Sequence, residues 1–122
     1  VIVFAVVIGG ACGAPARYLA ERFIAARNRF SVPWGTVVVN ISGSLLLGVL
    51  TGLDLNGHLG TGEMALLATG FCGAYTTFSA WSFESVSLLE AGQYRSAVVN
   101  IVGSLVLGLA AGSAGLAIGL VT

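Results

Sequence analysis

Apolar positions run along this chain in four long stretches, separated by short polar ones. They cover residues 1–24, 32–53, 63–89 and 96–120. Each is near the ~20 residues an apolar helix needs to cross a bilayer. The pattern predicts an all-α chain: an integral membrane four-helix subunit forming a single transmembrane domain over residues 1–122. The connections are brief. Residues 25–31 make a turn with two arginines, and Pro33 suits the first turn of the second helix. Residues 54–61 form a polar, Gly-rich loop in which Thr61 is the expected N-cap. Gly92 is a stop signal for the third helix.

The third stretch differs from the rest. Its middle reads Gly70-Phe71-Cys72-Gly73-Ala74-Tyr75-Thr76-Thr77-Phe78-Ser79-Ala80-Trp81. The glycines and adjacent hydroxyl residues predict a helix broken near residues 73–77. Lipid cannot satisfy the backbone groups that a break releases. Such a break must line a cavity or hold an ion.

The chain also repeats itself at an offset of 60 residues, 1–60 against 61–120. Val38-Val39-Asn40-Ile41-Ser42-Gly43-Ser44-Leu45 returns as Val98-Val99-Asn100-Ile101-Val102-Gly103-Ser104-Leu105. Gly10, Cys12, Gly13 and Ala14 likewise align with Gly70, Cys72, Gly73 and Ala74. Two-helix units in tandem keep their orientation, so this is a parallel repeat. Gly43, Gly48 and Gly52 make one small-residue face, and Gly103, Gly108 and Gly112 the matching one.

Composition removes the soluble alternatives. The chain is 57% hydrophobic and 8% charged, against about 25% charged in soluble domains. Five basic residues balance five acids, and no basic surface is offered to nucleic acid. The first residue is Val1, so the natural start is expected further upstream. Arg27, Arg29 and Arg95 lie in loops on one side, with Arg17 and Arg22 near that end of the first helix. The positive-inside rule puts this side in the cytoplasm and both ends of the chain outside.

Candidate chemistry is polar but uncharged. Thr36, Asn40 and Ser44 make a stripe on the second helix, and Asn100 and Ser104 a stripe on the fourth. Amides and hydroxyls of this kind suit an ion that sheds part of its water. Glu84 is the acid nearest the middle of the third span. No nucleophile–base pair, metal-ligand cluster or phosphate loop is present, so an enzyme is not expected. Phe78 and Trp81 share a face just past the threonines, and a ring edge carries partial positive charge that can favour a small anion.

Three motifs together resemble one family. They are Gly9-Gly10-Ala11-Cys12-Gly13-Ala14-Pro15-Ala16-Arg17-Tyr18, Gly35-Thr36-Val37-Val38-Val39-Asn40-Ile41-Ser42-Gly43-Ser44, and Gly70 to Trp81 with Ser82 and Glu84. This combination is similar to the CrcB/Fluc fluoride channels over nearly the whole chain. The resemblance implies a fluoride-selective channel in the bacterial cell membrane, multi-pass, that passively exports cytoplasmic fluoride. It implies an antiparallel dimer with two pores, and a structural sodium ion at the dimer centre held by backbone carbonyls matching Gly73 and Thr76. Asn40 and Phe78 match pore residues of the family, and Thr77, Ser79 and Ser104 match its hydroxyl positions. Thr36 and Glu84 match polar positions beside the path. Trp81 stands where the family has a second phenylalanine, and Asn100 where it has a tyrosine. The one-sided arginines also suggest pairing with an oppositely inserting homologue.

Two other classes compete. Small four-helix multidrug exporters share the size but need a buried glutamate in their first helix, where this chain has only Glu21 near the end. A non-conducting assembly subunit would need the glycine faces but not polar stripes converging on a break.

Overall fold

The computed structural model describes residues 1–122. Helix α1 is Ile2–Ala25 and α2 is Trp34–Leu55. The third segment is divided into α3, residues 61–75, and α4, Ser79–Glu90. Helix α5 is Tyr94–Val121. α1, α2 and α5 are each long and apolar enough to cross a membrane. Neither half of the third segment is. At about 1.5 Å per residue they reach only about 22 and 18 Å, short of the ~30 Å hydrocarbon core. The chain is thus a four-segment helical membrane protein whose third segment is broken.

Local chemistry sets the ends. Gly57 and Gly92 both have positive φ, 77° and 75°. After α2, Gly57 N–H bonds Asp54 O at 2.9 Å and His58 N–H bonds Leu53 O at 2.9 Å; Gly92 and Gln93 repeat this onto Leu89 and Leu88 after α4. These are paired C-terminal caps in which the left-handed residue is best filled by glycine. Two expectations need correction. Pro33 lies before α2 as its cap residue, with ψ 74°, so the helix opens at Trp34 and not at Val32. Thr61 does not cap α3. Gly60 holds that place, because the Glu63 carboxylate reaches back to accept its N–H at 3.1 Å. An acid in the first turn also complements the helix dipole.

α1 packs against α3 and α2 packs against α5. The approach is close enough to exclude side chains. A Cβ on Gly9 would lie 2.0 Å from Leu66 O, and one on Gly13 2.4 Å from Phe71 O. Between α2 and α5, a Cβ on Gly48 would lie 2.3 Å from Gly112 O, and one on Gly119 2.3 Å from Val49 O. The expected small face on the fourth helix is therefore corrected. Gly103 and Gly108 have no neighbour closer than 4.0 and 3.8 Å, while Gly115 and Gly119 make the tight approach. Both α3 and α5 contain π-helical turns, Ala65–Cys72 and Val99–Gly103. Each widened turn rotates the downstream residues relative to a regular helix and, in α5, shifts which of them face α2.

Only 21 of 122 residues are buried, so the chain has little core of its own. Large apolar side chains such as Phe4, Leu109 and Val121 are exposed. Surface of this kind belongs against lipid or a second subunit.

Candidate functional site

The break in the third segment falls at residues 76–78, not 73–77. Gly73–Tyr75 are helical, and Thr76 is the first extended residue, at φ −83°, ψ 159°. One side chain explains the position. Asn40 on α2 accepts the Thr77 N–H with Oδ1 at 2.8 Å and donates from Nδ2 to Thr77 O at 2.9 Å. Its amide replaces the two helical bonds that Thr77 gives up. Such groups cost about 1–3 kcal/mol each when buried and unpaired, so Asn40 makes a break at this depth affordable. An amide nitrogen carries two protons, and one Nδ2 proton remains after this pairing.

Thr77 also supports the start of α4, whose cap residue is Phe78. Thr77 Oγ1 accepts the Ala80 N–H at 3.1 Å, as an N-cap hydroxyl does, and shares a 3.3 Å hydrogen bond with Ser79 Oγ. These diversions have a further result. Thr77 N–H would otherwise bond Gly73 O, and Ala80 N–H would bond Thr76 O. Both carbonyls are released from the helix. Gly43 makes room for the turn: a Cβ there would lie 2.3 Å from Thr76 Cγ2.

A cavity of about 610 Å³ opens onto the break. Asn40, Ser44, Gly73, Thr76, Thr77, Phe78, Trp81 and Ser104 all line it. Phe78 is 75% exposed in the single chain. Its ring lies 5.3 Å from that of Trp81, tilted by 53°. Ser104 Oγ is buried without a hydrogen-bond partner, so a hydroxyl proton is unclaimed beside the cavity. Thr77 also lines a second cavity of about 480 Å³, with Arg17, Tyr18, Glu21 and Ser79. Glu21, Ala80 and Phe83 in turn border a third, of about 380 Å³, which contains Thr36 and Glu84. The three spaces form a series running from the break to the arginine-rich end. Thr36 Oγ1 donates to Glu84 Oε1 at 2.6 Å there.

The sequence stripes are redistributed. Asn40, Phe78, Trp81, Thr77, Ser104, Gly73 and Thr76 converge on the first cavity, Ser79 on the second, and Thr36 and Glu84 on the third. Asn100 leaves the stripe it was expected to share with Ser104. It is 0% exposed and donates from Nδ2 to Ser85 Oγ at 2.8 Å. Asn100 lies within the π-helical turn Val99–Gly103, and the widened turn rotates it away from Ser104, which follows it. The sequence does not mark Ser85 and Glu21 as lining or network residues; nothing in their spacing sets them apart from ordinary polar positions near a helix end, and Arg17 stands out only within the first motif and the one-sided arginines.

A broken helix, a pairing amide and neighbouring cavities whose mostly apolar walls carry hydroxyls and amides, without a buried charge pair, define a membrane protein built around an ion path. The family model described as CrcB-like protein, Camphor Resistance (CrcB), matches residues 4–116. The chain is 42% identical over 118 residues to the fluoride-specific ion channel FluC 1 of Leifsonia xyli subsp. xyli, covering 97% of this chain and 86% of that protein. It is 50% identical over 107 residues to FluC 2 of Mycobacterium bovis, covering 87% and 81%. It is 46% identical over 114 residues to FluC 1 of Symbiobacterium thermophilum, covering 92% of each. The chain belongs to the CrcB family.

Proposed function

We propose that this chain is a subunit of a fluoride-selective channel that lets cytoplasmic fluoride leave passively through the bacterial cell membrane. The observation that carries the reading is the first cavity. It gathers the Asn40 amide, the Ser104 hydroxyl and the Phe78 ring at the start of α4. Each offers a positive pole without a fixed charge: an amide proton, a hydroxyl proton, a ring edge and the positive end of a helix dipole. A small anion can exchange water for such donors and still leave, as conduction requires. The cavities toward the arginine side supply hydroxyls from Thr77, Ser79 and Thr36, with Arg17 as the attracting charge and Glu84 held by Thr36.

The partner is a second subunit in antiparallel orientation, either another copy or an oppositely inserting homologue. The exposed Phe78 ring and the exposed apolar faces support a covering subunit. A structural sodium ion fits the same reading. The released carbonyls of Gly73 and Thr76 are hard oxygen donors, and a two-fold related copy would double the set toward the larger oxygen shells that hard cations take. Bound there, the ion would tie the two broken segments together. Thr76→Ser keeps the carbonyl and should assemble, whereas Gly73→Val or Thr76→Trp should leave monomers on size-exclusion chromatography. Equal behaviour of all three would refute carbonyl coordination.

The test of function is fluoride efflux from liposomes containing the chain, read with a fluoride electrode against a chloride control. Fast efflux of fluoride and not chloride is expected. Efflux only with a co-expressed homologue would establish the heteromeric form. Release of both ions, or of neither under both conditions, would overturn the reading.

A further inference from the structure

Trp81, Asn100 and Ser85 close a ring of hydrogen bonds. The Trp81 Nε1–H donates to the backbone carbonyl of Asn100 at 3.1 Å. Asn100 Nδ2 donates to Ser85 Oγ at 2.8 Å. Ser85 Oγ donates to Trp81 O at 2.7 Å. Each residue gives one proton and accepts one. The directions are fixed by valence. Ser85 has one hydroxyl proton, given to Trp81 O, so it can only accept from Asn100 and must face the amide nitrogen. Asn100 and Ser85 are both buried, and Asn100 Oδ1 has no partner. An unpaired buried acceptor is a cost; alanine would avoid it, and what asparagine supplies in return is the proton held by Ser85.

This ring decides what the cavity sees. An indole could meet an anion with its N–H, a strong donor, or with a C–H edge, a weak one. Here the N–H is turned into the protein and already committed, while the rest of the ring lies beside Phe78 in the cavity wall. We propose that the Trp81–Asn100–Ser85 ring holds the indole so that it offers a permeating anion its C–H edge and withholds its N–H, making Asn100 and Ser85 positioning residues for the path. This rests on the fluoride-channel reading. The two are coupled in purpose: a free indole N–H would bind fluoride tightly and slow its release, whereas an edge preserves weak, exchangeable contact.

The test labels tryptophan with ¹⁵N in the Trp34→Phe variant, which leaves Trp81 as the one indole of the two in the chain. Trp34 lies outside the three cavities in series. In nanodiscs, the indole ¹H–¹⁵N signal should stay in place as sodium fluoride is added and exchange slowly with deuterium. A fluoride-dependent downfield shift would overturn the proposal. Ser85→Ala and Asn100→Ala should speed indole exchange and lower the fluoride-to-chloride flux ratio, with Ser85→Thr restoring both. In a Trp81→Phe background, which has no N–H to hold, Asn100→Ala should change that ratio by less than about twofold, as for sites that no longer couple. An equal loss in both backgrounds would make Asn100 merely structural and refute the assignment. Wild-type liposomes without fluoride efflux would sink the channel reading; a shifting indole in a conducting wild type sinks only this proposal.

Discussion

Asn40 and Asn100 occupy the same place in the two halves of the internal repeat, yet they do different work. Asn40 sits on an uninterrupted helix, half-buried, and bonds the backbone of the break with both ends of its amide. Asn100 sits within a π-helical turn, fully buried, and uses one end of its amide to hold the Ser85 hydroxyl, which donates to the Trp81 backbone carbonyl. The difference comes from the partner that each meets: the backbone of Thr77 for Asn40, and for Asn100 the Ser85 hydroxyl, which itself donates to the backbone carbonyl of Trp81. Asn40 faces a segment whose backbone has come apart, so its donor and acceptor are both claimed. Asn100 faces intact α4, whose backbone is already paired, so only side-chain groups are left to it. The repeat supplied the same residue twice; the break gave one copy its function.

The strongest way to break this comparison is Asn40→Ala. It would leave Thr77 N–H and Thr77 O unpaired at membrane depth. At about 1–3 kcal/mol for each group, the break should close or shift, and fluoride efflux should fall by about a hundredfold or more. The loss should be the same whether position 81 is Trp or Phe, in contrast to Asn100. Asn40→Asp keeps the acceptor for Thr77 N–H but loses the donor and adds a charge, and it should be as inactive. Efflux near the wild-type rate from Asn40→Ala would mean that the break is held by something else.

Next in size is the glycine three residues on. The Gly43→Ala methyl would meet Thr76 Cγ2, 2.3 Å from the ideal Cβ position. Both atoms lie on elements fixed by the Asn40 pairing, so neither can yield cheaply. Overpacking of this kind costs about 1–3 kcal/mol, and efflux should drop by about tenfold. Adding Thr76→Ser removes the obstructing methyl and keeps the carbonyl and the hydroxyl. The double variant should regain most of the rate. Failure of that rescue, with the single variant still impaired, would place the obstruction elsewhere.

These sites show what the sequence made legible. Periodicity was enough for four segments and the broken third, because a span of apolar residues in lipid has few alternatives. The family motifs brought Asn40, Phe78, Thr77 and Ser104 to one place, and the structure gathers them around one cavity. The register of the break, read from the glycines and the hydroxyl residues beside them, starts three residues early. Gly73 marks where flexibility is allowed, but the break is set by where Asn40 can reach, and that is a contact between segments. The π-helical turns left no trace either. Ala65–Cys72 and Val99–Gly103 read as good helix, and their widened turns lie where α3 packs closely on α1 and where Asn100 bonds Ser85 of α4. The glycine face assigned to residues 103, 108 and 112 keeps Gly112, whose carbonyl meets Gly48, and continues through Gly115 and Gly119 in place of Gly103 and Gly108.

A smaller effect is expected at Thr36, which precedes Asn40 by one helical turn. Thr36→Val keeps the shape and removes the 2.6 Å donation to Glu84. Glu84 is only half-buried, so water can replace part of that bond. A hydrogen bond to a charged group contributes about 1.5–3 kcal/mol when well enclosed, and the accessible setting should reduce this. Fluoride efflux should fall several-fold, with Thr36→Ser close to wild type. A Thr36→Val channel as impaired as Asn40→Ala would move the narrowest point of the path from the break to the carboxylate end.

The smallest effect sharpens the comparison most. Gly103 is the repeat counterpart of Gly43, and Gly103→Ala adds the same methyl to the same motif. Here the nearest atom to the new Cβ is Val99 Cγ1 at 4.0 Å, an ordinary contact. No backbone or fixed side chain stands in the way. Alanine in place of glycine inside a helix is worth up to about 1 kcal/mol of propensity, so the variant should melt at the same temperature or a few degrees higher, and conduct fluoride as before. The local π-helical turn is the one feature that could reverse the sign. If Gly103→Ala lowers the melting temperature, the widened turn at Val99–Gly103 depends on glycine itself and not on packing alone. If it raises it, the two halves differ at this position by the close neighbours at the break, Thr76 and Tyr75, which Gly43 has and Gly103 lacks.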